Sequence, residues 1–146
     1  MKPKKIPYEK YKEIYSLVPR ITVEVLIIEN DSILLTKRSI TPAKGFWHTP
    51  GGAVLKGEKL EETVRRVAKE EVGLDIKIEK FADYIEYESF KEYFGHDISF
   101  AFVCKKKNTK QQVKLDDNAD DYKFFSKLPA KMIPEQRKII NTLGIR

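Results

Sequence analysis

Cysteine occurs once in the 146 residues, tryptophan once and histidine twice. A single cysteine leaves no internal disulfide framework and suits a reducing compartment. Cys104 sits in the apolar run 98–104 and reads as a small buried hydrophobe rather than a reactive thiol. No stretch approaches the roughly 18 apolar residues that a membrane span needs, and the lysine-rich start lacks the hydrophobic segment of a secretory signal. A cytoplasmic protein is expected. Repeats, linkers and low-complexity tracts are missing too, so residues 1–146 read as one domain, long enough to bury a core, with 1–18 as a basic leader.

Charge is plentiful and unevenly spread. Lys and Arg total 28 against 22 Asp and Glu, a formal net charge of +6. Much of the excess lies in 1–12 and 105–114, with an acidic block at 116–121. No stacking motif accompanies the basic blocks. They read as solvated surface and as steering for an anionic small molecule, with nucleic acid an unlikely partner.

Hydrophobic patterning divides the chain. Residues 21–29 are almost all apolar or β-branched, Asn30-Asp31 is a turn signal, and 33–37 form a second strand, so the pair reads as a hairpin. Glu24 interrupts the first run; a charge inside a strand belongs to a wet face or to a site. Further strands are expected over 75–86 and 98–104, with an aromatic, acidic connection at 84–97 between them; a charged surface excursion at 105–121 follows, until 122–125 resume an apolar pattern. Pro134 fits a first helical position, and 136–143 form a terminal helix ended by Gly144. Helices and strands together predict an α+β fold with a mixed sheet.

The richest stretch is 52–74, GAVLKGEKLEETVRRVAKEEVGL. Leu60, Val64, Val67 or Ala68, and Val72 recur at three- and four-residue steps and give a helix one apolar face. Glu70 and Glu71 flank that face near the helix end, where the dipole disfavours carboxylates and a cation would compensate. The preceding Thr49-Pro50-Gly51-Gly52 can offer backbone carbonyls at close range. Mg²⁺ takes oxygen ligands, commonly one or two carboxylates beside substrate phosphates, so the local chemistry suggests a metal and phosphate site. Beside it, Phe46-Trp47-His48 read mainly as packing, with Trp47 a candidate for base or sugar contact. Arg38 is the best diphosphate contact because its planar fork suits phosphate oxygens; Lys37 points the other way on a regular strand.

These residues resemble the Nudix hydrolase box, G-x5-E-x7-R-E-U-x-E-E-x-G-U with U aliphatic. Gly52, Glu58, Arg66, Glu70, Glu71, Gly73 and Leu74 fall on its spacing and Ala68 on an aliphatic position, whereas Val67 replaces the first Glu after the Arg. The resemblance implies an α/β/α sandwich with a central box helix and a C-terminal helix. It also implies a Mg²⁺-dependent hydrolase of nucleoside diphosphate derivatives, with Mn²⁺ as a substitute. Glu70 and Glu71 would be metal ligands, and Glu58 and Arg66 supports of the box. A homodimer is a further expectation of the same origin.

Val67 also points to one branch. The GDP-mannose mannosyl hydrolases, which cleave at the sugar carbon, resemble the chain in 24–30, Lys37-Arg38, Gly45-Phe46-Trp47, Thr49-Pro50-Gly51-Gly52 and Asp120-Asp121-Tyr122, and lack the same Glu. That likeness implies a metal held by Glu71, the Gly51 carbonyl and an amide for which Asn118 is the candidate, with Glu24 facing sugar hydroxyls. The branch's histidine base is Ala119 here. Asp117, Asp120 or His96 would replace it, His96 otherwise being a loop residue that contacts substrate. Three readings follow: glycosyl-carbon cleavage of a nucleotide sugar such as GDP-mannose; attack at phosphorus of a nucleoside triphosphate or ADP-ribose-like substrate; and a non-catalytic nucleotide- or RNA-binding module.

Overall fold

The structure, a computed structural model, describes residues 5–90 and 93–146; residues 1–4 of the basic leader and 91–92 of the acidic connection lie outside it. Its elements are α1 (Tyr8–Tyr15), β1 (Arg20–Glu29), β2 (Ser32–Arg38), β3 (Trp47–His48), β4 (Gly51–Ala53), α2 (Leu60–Val72), β5 (Ile76–Glu86), β6 (Asp97–Lys106), β7 (Ala119–Phe125) and α3 (Pro134–Asn141). The sheet runs β3-β2-β1-β6-β5, with β4 also paired to β1 and β7 to β2. The β1–β6 pair is parallel and the others antiparallel, so the sheet is mixed.

Strand β1 organises the sheet and splits it. Along one edge it pairs with β6 from Arg20 to Ile27. On the other it pairs first with β4, Thr22–Glu24 opposite Ala53–Gly51, and only near its end with β2. Between the two, Val25 N–H donates to the Pro50 carbonyl at 2.8 Å. The Gly51 turn is thereby wedged into the open middle of the sheet.

Alternation along β1 sends side chains to two cores. Val23, Val25 and Ile27 join Val64, Val67, Ala68 and Val72 of α2; Leu26 joins Ile139 and Ile140 of α3. These layers make the mixed α+β fold that the sequence pattern predicts and the α/β/α sandwich that the resemblance implies. Glu24, one pleat from Leu26, faces α3, whereas Glu71 rides on α2. Helix α2 ends at Gly73, whose φ of 68° is left-handed and suits glycine.

Local structure departs from expectation in three places. The 52–74 stretch does not pass straight from turn to helix, because Gly51–Ala53 is a strand and α2 begins only at Leu60. The leader contains a helix, α1, whose Tyr11 hydroxyl accepts from Arg20 Nη1 at 2.5 Å and whose ring packs edge-on against Phe94. Part of the charged excursion belongs to β7, which starts at Ala119. No helix among the described residues is long and apolar enough to cross a membrane.

Candidate active site

The Gly51 turn, β1 and the last turn of α2 converge on one cleft of about 730 Å³. Gly51 separates its two central carboxylates. Its N–H donates to Glu71 Oε1 at 3.0 Å. A Cβ on Gly51 would stand 2.5 Å from Glu24 Oε2 and 2.8 Å from the Val23 carbonyl oxygen, so only glycine permits this approach.

Both acids are desolvated. Burial pushes Glu24 up to about 8, against the hydrogen bond from Thr49 and with the Glu71 charge adding to the rise. Burial pushes Glu71 up to about 7, opposed by the Gly51 N–H and by Arg38 and reinforced by Asp116. This donor set fits a hard divalent cation: a desolvated carboxylate, a glycine turn and the Asn118 amide at the rim, with an ion's charge offsetting the desolvation. Among the described residues no three His, Cys, Asp or Glu side chains form a metal-holding group by themselves. Mg²⁺ does not require one, since substrate phosphates and water complete its shell.

Glu70 has a different environment from its neighbour. Burial raises its pKa, but hydrogen bonds from Lys5 at 2.8 Å and Arg66 at 3.2 Å hold it below the ordinary value. Arg66 is the hub of the box. Its Nε donates to Glu58 Oε2 at 2.8 Å, while Nη2 donates to Glu58 Oε1 at 3.0 Å and to the Ala53 carbonyl at 2.8 Å. Glu58 also accepts from Leu55 N–H and from Thr63, which ties the entry of α2 to β4. The i,i+4 pair and the orienting contact expected of Arg66 therefore coexist.

Glu24, Arg38, Gly51, Glu70, Glu71, His96 and Asn118 all line the cleft. A register shift between Lys37 and Arg38 turns the strand end, and Arg38 faces the cleft with Nε donating to the Pro42 carbonyl at 2.6 Å. Three expected residues do not line it. Trp47 packs edge-on against Phe125 at 4.9 Å in the α3-side core, because its neighbour His48 takes the inward position of the two-residue strand. Asp117 lends its carbonyl to Ser39, and Asp120 is exposed on β7. Asp116 lines the cleft in their stead, its N–H donating to the Glu71 carbonyl at 3.2 Å.

Three polar residues of the site escaped the sequence reading, Asp116, Tyr87 and Gln136, and Thr49 was read only as part of the glycine turn. Thr49 Oγ1 donates to Glu24 Oε2 at 2.8 Å, and Gln136 joins Glu24, Thr49 and Tyr87. Gln136 did leave a trace, as one polar residue on the apolar stripe of Ile133, Ile139 and Ile140.

His48 supplies a stability test. It is buried, its Nε2 lies 3.0 Å from Thr36 Oγ1, and burial and then the Arg38 charge push it down to about 3. The folded value lies below the unfolded one near 6.5, so the folded state is favoured fully above that pH and progressively less as pH falls toward 3. At pH 5 the loss is about 2 kcal/mol relative to neutral pH. His48→Gln should remove that component, so its melting temperature should fall less than the wild type's between pH 7.5 and 5. Parallel curves would refute the assignment.

A model of the NUDIX domain matches residues 18–143. The chain belongs to the NUDIX family. It is 35% identical over 139 residues, 94% of its length and 79% of the relative's, to an ADP-ribose pyrophosphatase of Methanocaldococcus jannaschii. It is 40% identical over 75 residues to the low-salt glycan biosynthesis protein Agl8 of Haloferax volcanii, a match spanning 51% of this chain and about half of that relative, 48%. The MutT NUDIX hydrolase of Burkholderia pseudomallei has the same fold, with a TM-score of 0.75 and 22% identity over 85% of this chain and 97% of that one.

Proposed function

We propose that this Nudix hydrolase cleaves the diphosphate of a nucleoside diphosphate derivative of the ADP-ribose type, with water attacking phosphorus and Mg²⁺ or Mn²⁺ as cofactor. The observation that carries the reading is the 35% identity to an ADP-ribose pyrophosphatase along 94% of the chain. The order preferred from sequence, sugar carbon before phosphorus, is reversed on that ground. Glu71, the Gly51 carbonyl and Asn118 would hold the ion; Glu70, Arg66 and Glu58 brace the helix that presents Glu71. A bound Mg²⁺ supplies charge screening on the phosphates and lowers the pKa of water. Arg38 receives a phosphate, and its desolvated guanidinium makes that contact stronger than it would be in bulk water. Glu24, across Gly51, receives hydroxyls of the group beyond the diphosphate.

A second reading, attack at the glycosyl carbon of a nucleotide sugar such as GDP-mannose, keeps one specific support. Val67 removes a box carboxylate while Asn118 stands at the cleft. The glycan-related name of the Haloferax relative adds to it. Incubation with Mg²⁺, H₂¹⁸O and either ADP-ribose or GDP-mannose separates the two. The expected result is label in a phosphate product, AMP or sugar phosphate. Label on the free sugar would replace the first reading by the second, and absence of turnover on both substrates would overturn both.

A further inference from the structure

The first turn of α3 grips three walls of the cleft at once. Gln136, 2% exposed, accepts from Thr49 N–H through Oε1 at 2.8 Å and donates through Nε2 to the Tyr87 hydroxyl at 2.9 Å and to Glu24 Oε2 at 3.4 Å. Its amide thus spans the Gly51 turn, β1 and the end of β5. Glu135, next to it, accepts from the N–H groups of Glu88 and Ser89, both at 2.9 Å, and from Ser89 Oγ at 2.7 Å. Glu88, Ser89 and Phe90 follow Tyr87 along the connection that lines the cleft. None of this belongs to the Nudix box.

We propose that Gln136 is a positioning residue that aims Glu24 at the substrate, and that Glu135 fixes the adjoining wall at Glu88 and Ser89. The chemistry is specific to an amide. Glu24 Oε2 takes the bonds from Thr49 and Gln136, which fixes the carboxyl plane, while Oε1 carries neither of them. Only a side chain with both an acceptor and two donors can serve Thr49 N–H, Tyr87 and Glu24 together. Leucine or methionine would fill the same volume on the apolar stripe but leave the Thr49 amide and Glu24 without these partners. The proposal rests on the reading that Glu24 faces substrate.

A double-mutant cycle tests it in the full chain with Mg²⁺ and ADP-ribose. Glu24→Gln and Gln136→Ala should each lower kcat/KM by roughly tenfold or more, and the double variant should lose little beyond Glu24→Gln alone. Gln136→Met, which keeps the volume but lacks both the acceptor for Thr49 and the donors to Glu24, should behave like Gln136→Ala and covers the case in which the alanine variant fails to fold. Glu135→Gln should raise KM several-fold with kcat within about twofold, and should speed amide exchange at Glu88 and Ser89. Multiplying losses in the cycle, or wild-type kinetics in Gln136→Met, would overturn the proposal. If the wild type turns over no substrate, the proposed function fails separately; the same cycle is then read on the Kd for ADP-ribose, where independent effects overturn the positioning role.

Discussion

Turnover should fall at least about a hundredfold in Glu71→Gln while the protein stays folded. The amide is isosteric and keeps an oxygen for the Gly51 N–H, now 3.0 Å from Glu71 Oε1, so the turn has no reason to move. What disappears is the charge. A hundredfold loss corresponds to about 2.7 kcal/mol of transition-state stabilisation, within the range for removing one electrostatic partner from a desolvated site. Stability should move the other way or not at all, because burial already pushes the Glu71 carboxyl up to about 7 and a neutral side chain avoids that desolvation. The wild type should show a rise in melting temperature with MgCl₂ that Glu71→Gln lacks. Activity within a few-fold of wild type, or an undiminished Mg²⁺ shift, would remove Glu71 from the metal site.

Much of this architecture was written locally. The 3.6-residue spacing of Val64, Val67, Ala68 and Val72 marks one face of α2, and that face packs on β1. Asn30-Asp31 closes the β1–β2 hairpin, with both residues at positive φ. Box spacing locates Glu58, Arg66 and Glu70, because the bonds that Arg66 makes to both acids lie within or just before a single helix, and it locates Glu71 as the neighbour of Glu70. The residues missed are those whose partners are remote in sequence. Gln136 lies 112 residues from Glu24 and 87 from Thr49. No window of sequence contains both ends of such a bond, and the only local sign is a polar side chain on an apolar stripe. Asp117 and Asp120 stand ahead of Asp116 in the sequence reading because a run of acids cannot announce where a strand begins; the bond from Asp116 N–H to the Glu71 carbonyl, made before β7 starts at Ala119, brings Asp116 to the cleft instead. Trp47 was a case of identity outweighing direction, since a large ring beside a glycine turn serves a core as well as a ligand.

The two carboxylates arrive by different routes. Glu24 comes from the α3 side of β1 and Glu71 from α2, and Gly51 lies between them, its N–H on Glu71 and no side chain to meet Glu24. Gly52, next along, brings β4 against α2 so closely that a Cβ there would stand 3.0 Å from Val67 Cγ2. A branched aliphatic residue at 67 therefore closes the α2-side core at the floor of the cleft.

Val67→Glu, which completes the box, should consequently show a stability that depends strongly on metal. Val67 is 2% exposed, packed with Val64, Ala68 and Val72, yet it lines the cleft. Without divalent ions, a carboxylate there beside Glu71 should destabilise the fold by about 3 kcal/mol, lowering the melting temperature by on the order of 10 °C. Its longer chain has one outlet, toward the cleft, where a cation offsets both its desolvation and its repulsion from Glu71. Added MgCl₂ should thus raise the melting temperature of Val67→Glu more than that of the wild type, and phosphorus-directed cleavage should persist or increase. Thermal melts across a MgCl₂ series, paired with ¹⁸O product analysis, measure both effects. An equal deficit with and without Mg²⁺ would mean that residue 67 serves the core alone, and the missing Glu would then carry no chemical consequence.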